Sequence, residues 1–383
     1  MSLPNLYKEN AKKKAVEAAK TGYLDVSVRY LETLPPLPSN LKVLVCKNNQ
    51  LLRLPDLPTG LVSLDCAKNE LLALPELPST LETLLCGRNQ LQSIPSVPKT
   101  LRSLDCHMNK ISYLPELNEG LINLSCASNE LRSIPELPST LKYFACGANP
   151  LQSLPSLPNG LVQLYCNHTK LSTLPDLPKT LLVLECGANE LTKLPLLPPG
   201  LVRLECRRNK LETLPPLPTT LEFFECDPTG FVGPFKVLVE HLYQDRAKVE
   251  KDVKEKYGYN KRYEGIQYKE TEQKRLLAQF IKDVNKIYER GQGLKEELVA
   301  YKYDPKRIEA NLKRNQINMN QALSEKNYNK YFTRRGEVWT EGISTAPGPW
   351  PKNMGIEARK RWSRFGKGGK TRRRRLNKSS KKH

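Results

Sequence analysis

Cysteine recurs in this chain once every 20 residues, from Cys46 to Cys226, and all ten cysteines of the 383-residue sequence lie on that register. The unit that carries them begins at Leu41 as LKVLVCKNNQLLRLPDLPTG, restarts at Leu61, and runs without insertion or deletion to Gly230. An unbroken short period of this kind requires a stack of equivalent coils, each burying its apolar side chains against its neighbours. The pattern is LxxLxCxxNxLxxLPxLPxx. Leu44 and Cys46 alternate with Val45 and Lys47, the period of a half-buried strand, and Leu51, Leu54 and Leu57 carry the apolar side around a bend. An asparagine stands where the chain leaves the strand, at Asn49, Asn69, Asn89, Asn109, Asn129, Asn149, Asn189 and Asn209. Its amide can bond backbone groups of the adjacent coil that would otherwise be buried without partners. Paired prolines such as Pro55 and Pro58 forbid a helix on the return leg and favour extended, polyproline-like backbone.

This is the leucine-rich repeat pattern in its shortest class. From residue 24 to 226 the sequence resembles the LPX-type repeats of bacterial type III effectors, and the cysteine-bearing LxCxxNxL repeats of other bacterial and giant-virus proteins. The resemblance implies a leucine-rich repeat solenoid with a parallel β-sheet on its concave face and an extended convex side. One repeat alone buries too little to offset the ordering of its backbone, so only stacking makes the fold stable.

Before the repeats, residues 1–20 read as an amphipathic capping helix over the open end of the stack, with Ala11, Ala15, Val16 and Ala19 on its less polar side. Residues 21–232 hold the solenoid, one degenerate unit with Arg29 at the asparagine position and ten cysteine-bearing units. The asparagine is lost at Thr169 and again at Thr229. Residues 233–342 read as α-helical: a helix over Phe235–Tyr257 with Val237, Leu238, Leu242 and Val249, a second over Thr271–Arg290 capped by Thr271 and carrying Leu277, Phe280, Ile281, Val284, Ile287 and Tyr288, and a third starting at Asp304-Pro305. Residues 343–383 form a basic tail whose Gly, Ser and like charge predict disorder.

Charge follows this division. The chain has 61 Lys and Arg against 40 Asp and Glu, yet residues 1–230 are nearly balanced, with 23 against 22. Residues 351–383 alone carry 14 basic side chains and one acidic one. The N-terminal stretch lacks the apolar core of a signal sequence, and no run of 18 apolar residues predicts a membrane span. Ten thiols in register act as small apolar core residues and point to an intracellular, reducing compartment, cytoplasm or nucleus.

Specificity is expected where side chains leave the core. Before each cysteine the residues run Val45, Asp65, Leu85, Asp105, Ser125, Ala145, Tyr165, Glu185, Glu205, Glu225. Two places earlier stand Tyr143, Gln163, Val183, Arg203 and Phe223. Tyr143, Tyr165 and His168 form an expected aromatic patch, and Glu185, Glu205 and Glu225 an acidic stripe. Aromatics beside charge are the chemistry of protein recognition. In the tail, Trp362 and Phe365 interleave with Arg359, Lys360, Arg361 and Arg364, and Arg372, Arg373, Arg374 and Arg375 are contiguous. That combination can neutralise phosphates and stack bases, and it serves equally as a nuclear-import signal or an anchor to an acidic surface.

No catalytic, metal or cofactor motif is present. Effectors with similar repeats often carry a ubiquitin-ligase domain with a nucleophilic cysteine, and here no cysteine follows Cys226. The expected function is a non-enzymatic protein-interaction scaffold, viral or effector-type, that binds a protein on its concave face and a nucleic acid or other polyanion through its tail. The alternative is a nucleic-acid-binding or packaging protein in which the repeats are only a spacer.

Overall fold

A computed structural model describes residues 3–28, 30–227, 229–256 and 262–302. It opens with α1 (Leu3–Thr21) and continues through eleven three-residue strands. These are β1 (Tyr23–Asp25), β2 (Val43–Val45), β3 (Ser63–Asp65), β4 (Thr83–Leu85), β5 (Ser103–Asp105), β6 (Asn123–Ser125), β7 (Tyr143–Ala145), β8 (Gln163–Tyr165), β9 (Val183–Glu185), β10 (Arg203–Glu205) and β11 (Phe223–Glu225). Two helices follow, α2 (Gly233–Lys256) and α3 (Arg262–Lys302). The strands form one parallel sheet in sequence order, each residue opposite its equivalent 20 positions on, as with Leu44 and Leu64. The described residues up to Lys286 make one compact unit, and those of α3 from Ile287 on belong to a second.

The core repeats with the sequence. Leu41, Leu44, Cys46 and Leu51 have no exposed surface, and the same four positions are closed in the repeats that follow. All ten cysteines are free and buried. Burial drives their thiols upward, to about 12 for Cys126 and Cys166. A thiolate in an apolar stack would lose its hydration with nothing in exchange.

The asparagines bind the coils to one another. Asn69 donates through Nδ2 to the carbonyls of Cys66 and Cys46, both at 3.0 Å, and its Oδ1 accepts the Leu51 amide at 3.1 Å. Asn129 repeats this with Cys126, Cys106 and Ile111. Each such residue closes its own turn and staples it to the preceding coil. Thr169 breaks the chain of staples: its hydroxyl donates to the Cys166 carbonyl at 3.3 Å and meets Asn189 Oδ1, but it cannot reach back to the preceding coil. The Leu151 amide therefore has no acceptor among the described residues.

The residue before each asparagine, and before Thr169, turns the chain with positive φ, between 52° and 58° at Asn48, Lys68, Arg88, Met108, Ser128, Ala148, His168, Ala188 and Arg208. None is glycine, although this region favours it. In the degenerate first coil even Val28 adopts φ 54°. On the opposite rim, Thr80, Thr100, Thr140, Thr180 and Thr220 reach back to the preceding coil, as Thr80 Oγ1 does to the carbonyls of Thr59 and Leu61 at 2.9 and 2.7 Å. Where Gly120 interrupts that series, Asn118 stands in place of a proline and donates to the Leu101 carbonyl at 3.1 Å.

Both ends of the stack are covered. Ala11, Ala15 and Ala18 form the buried stripe of α1, while Val16 is 68 % exposed and Ala19 is also exposed. The expected stripe was rotated, because burial goes to residues at i, i+4 and i+7, and Val16 lies about 100° around the helix from Ala15. Gly22 ends α1 at φ 71°, donating to the Ala18 carbonyl as a C-cap. At the other end, Phe224 of β11 stacks on Phe280 of α3 with centroids 5.2 Å apart. Asn285 pairs with both backbone groups of Leu217 at 2.8 Å, Arg246 Nη2 donates to the Phe224 carbonyl at 3.0 Å, and the Tyr243 hydroxyl bonds the Cys226 carbonyl.

The helices differ in detail from expectation. α2 buries Phe235, Val239, Leu242 and Val249, and Val237 is exposed. α3 starts at Arg262, so Thr271 is interior and donates to the Gln267 carbonyl four residues back instead of capping. Leu277, Phe280, Ile281 and Val284 are buried as the spacing predicts. Arg29, Tyr257, the helix expected from Asp304-Pro305, and the tail lie outside the described residues.

Candidate functional site

Alternation along each strand sends the middle residue and the cysteine inward and the flanking pair outward. Because the strands are in register, the outward pairs form two continuous rows, and neighbours in a row come from successive repeats. Tyr143 on β7 and Tyr165 on β8 meet diagonally, one from each row, their rings 5.4 Å apart and tilted by 41°. Both phenols are raised, first by burial and then by neighbouring charge, Glu185 acting on each and Asp105 on Tyr143. Tyr165 also points its hydroxyl toward Gln163. His168 lies past the strand on the positive-φ turn, and no ring contact joins it to the tyrosines among the described residues.

The acidic stripe is present and largely neutralised. Arg203 Nε holds Glu185 Oε1 at 2.7 Å while its guanidinium lies 3.6 Å over the Phe223 ring. Asn167 donates to the other Glu185 oxygen at 3.1 Å. Arg207 bridges Glu205 and Glu225, 3.0 Å from each. Arg207 was missed by sequence reasoning. It lies just past the cysteine, outside the strand, where its backbone carbonyl and the Glu205 carboxylate sit beside Gly187 of the preceding coil. The His107 ring lies over Gly87, where an added Cβ would come within 2.4 Å of the imidazole. His107 Nδ1 sits 2.6 Å from Asp105 Oδ1, and Lys47 pairs with Asp65 at 3.1 Å. Asn167, His168, Gly187, Ala188, Glu205, Arg207 and Arg208 line a shallow depression of about 170 Å³ beside this network.

The face is thus a preorganised polar and aromatic surface. Among the described residues no cluster of three His, Cys, Asp or Glu side chains could hold a metal ion. No described helix is long and apolar enough to cross a membrane. The ten arginines, lysine and aromatics expected to bind polyanions, from Arg359 to Arg375, fall outside the described residues.

Coil, strand and staple together define the class: a leucine-rich repeat solenoid of the short, 20-residue kind, as in bacterial effectors. Within that class the chain is similar to YopM from Yersinia enterocolitica WA-314, at 40 % identity and a TM-score of 0.53. That match covers 53 % of this chain and 46 % of the YopM chain, so it spans less than half of that protein's length. A leucine-rich effector YopM from Yersinia pestis aligns at 25 % identity over 58 % of this chain and 91 % of its own, with a TM-score of 0.37. A Shigella effector leucine-rich repeat domain aligns at 29 % identity over 49 % and 77 %, with a TM-score of 0.33. A scan against known protein families finds no match, and a search of curated proteins also finds none.

Proposed function

We propose that this protein is a non-enzymatic, effector-type interaction scaffold that binds a protein partner on the outer sheet face between Tyr143 and Glu225. The observation that carries this is the pairing of two tyrosine rings with an arginine already fixed between a carboxylate and a phenylalanine ring. Rigid aromatics and an immobilised guanidinium lose little conformational freedom on docking, which is why such groups dominate interface energetics. The short-repeat likeness to YopM supports the scaffold reading at the level of fold. The basic residues from Arg359 to Arg375 act as a separate anchor to nucleic acid or another polyanion, and the buried free thiols suit a reducing compartment.

The test is capture of partners by three preparations: the natural sequence, a Tyr165→Ala and Phe223→Ala double variant, and a chain lacking residues 351–383. Partners lost by the double variant and retained by the shortened chain across a salt titration support the face. Partners lost only with the tail, and released steeply by salt, would instead make the repeats a spacer.

A further inference from the structure

The outer face carries one arrangement twice. Near its C-terminal end, Arg203 stands between Glu185, on the strand before it, and Phe223, directly opposite on the strand after it. It is paired to the first and stacked on the second. Near the middle of the sheet the same three register positions are held by Asp105, Asn123 and Tyr143. The carboxylate and the ring are kept and the guanidinium is missing, since an asparagine is too short to bridge them. Asn123 is exposed and Tyr143 half-buried, so the space above Asn123 opens to solvent. Asp105 uses Oδ1 for His107, and its Oδ2 takes no hydrogen bond among the described residues. The Tyr143 phenol is raised by burial and by the charges of Asp105 and Glu185, which places its ring in negative potential.

We infer that Asp105 and Tyr143 form a seat above Asn123 for an arginine side chain of the protein partner. The inference rests on the scaffold reading and sharpens it to a chemistry. Arginine fits better than lysine because a planar guanidinium can lie on a ring and pair with a carboxylate at once, as Arg203 does within the chain. Tyr165, in contact with Tyr143, extends the apolar floor for the residues flanking that arginine.

The experiment selects short peptides of randomised sequence on the full-length protein. It then compares the enriched peptides on the Asn123→Arg variant, which supplies the seat with its own guanidinium, and on Tyr143→Leu, which removes the ring and is available should the first variant misfold. The enriched peptides are expected to carry arginine, and citrulline in its place, equal in shape but uncharged, should weaken binding roughly tenfold. Both variants should lose a similar factor. Enrichment of peptides without arginine, or binding indifferent to citrulline and to both variants, would overturn the seat while leaving the scaffold reading intact. Failure to enrich any peptide overturns the seat as well.

Discussion

Thr169→Asn should make this protein more stable, against the usual direction of mutations at buried sites. The substitution places an amide where eight of the nine other positions of that series have one, with Oδ1 aimed at the Leu151 amide and Nδ2 at the Cys146 carbonyl, as Asn149 does for Leu131 and Cys126. A buried N–H without an acceptor costs about 1–3 kcal/mol. Fixing the longer side chain takes back roughly 1 kcal/mol, and the hydroxyl's contact with Asn189 is lost, leaving a net gain of at most about 2 kcal/mol. Native-state hydrogen exchange reads this at one residue without requiring the whole stack to unfold together. In the natural sequence the Leu151 amide should exchange faster than those of Leu131 and Leu171. In Thr169→Asn it should slow by about tenfold, the equivalent of 1.4 kcal/mol. The reciprocal change, Asn129→Thr, should cost a similar amount and expose the Ile111 amide. If Leu151 is already as protected as Leu131, or if Asn129→Thr is neutral, the asparagines are not staples and the reasoning fails.

Other consequences are open to simpler assays. A chain ended after Val232 strips Phe280, Arg246 and Asn285 from the last coil and uncovers Phe224 and Leu217; urea unfolding should show a loss on the order of 5 kcal/mol, and an unchanged midpoint would remove the helices as a cap. Val28→Gly relieves a β-branched residue held at φ 54° and 58 % exposed, so its melting temperature should rise, by the equivalent of roughly 0.5–1 kcal/mol; a fall would show that the side chain contributes packing. The thiols should resist alkylation in the native state and react fully once unfolded, and rapid native labelling would contradict their burial. Their folded values lie above the unfolded value of 9.0, so the neutral thiols favour the fold below pH 9. That contribution is lost as pH rises from 9 toward about 12, because the unfolded chain ionises first. Alkaline unfolding that does not shift upward when Cys126 and Cys166 are replaced by valine would refute the assignment.

The strand, the bend, the buried leucines and the role of the asparagine were all legible in the chain itself, because each depends only on period. A residue repeated every 20 positions meets its own copies, so its environment can be reasoned from one unit, as Leu44 and Cys46 illustrate. What the period leaves open is set by unlike neighbours. Glu185, Glu205 and Glu225 read as a free acidic stripe until the register brought Arg203 and Arg207 across to them. Likewise the buried stripe of α1 turned on which side of the helix meets the first coil, and the turns of α3 before Thr271 lie against α2, where Lys269 pairs with Glu250 at 3.1 Å. The outward rows differ from repeat to repeat, and what they pair with is decided by proximity in space, which spacing along the chain does not encode.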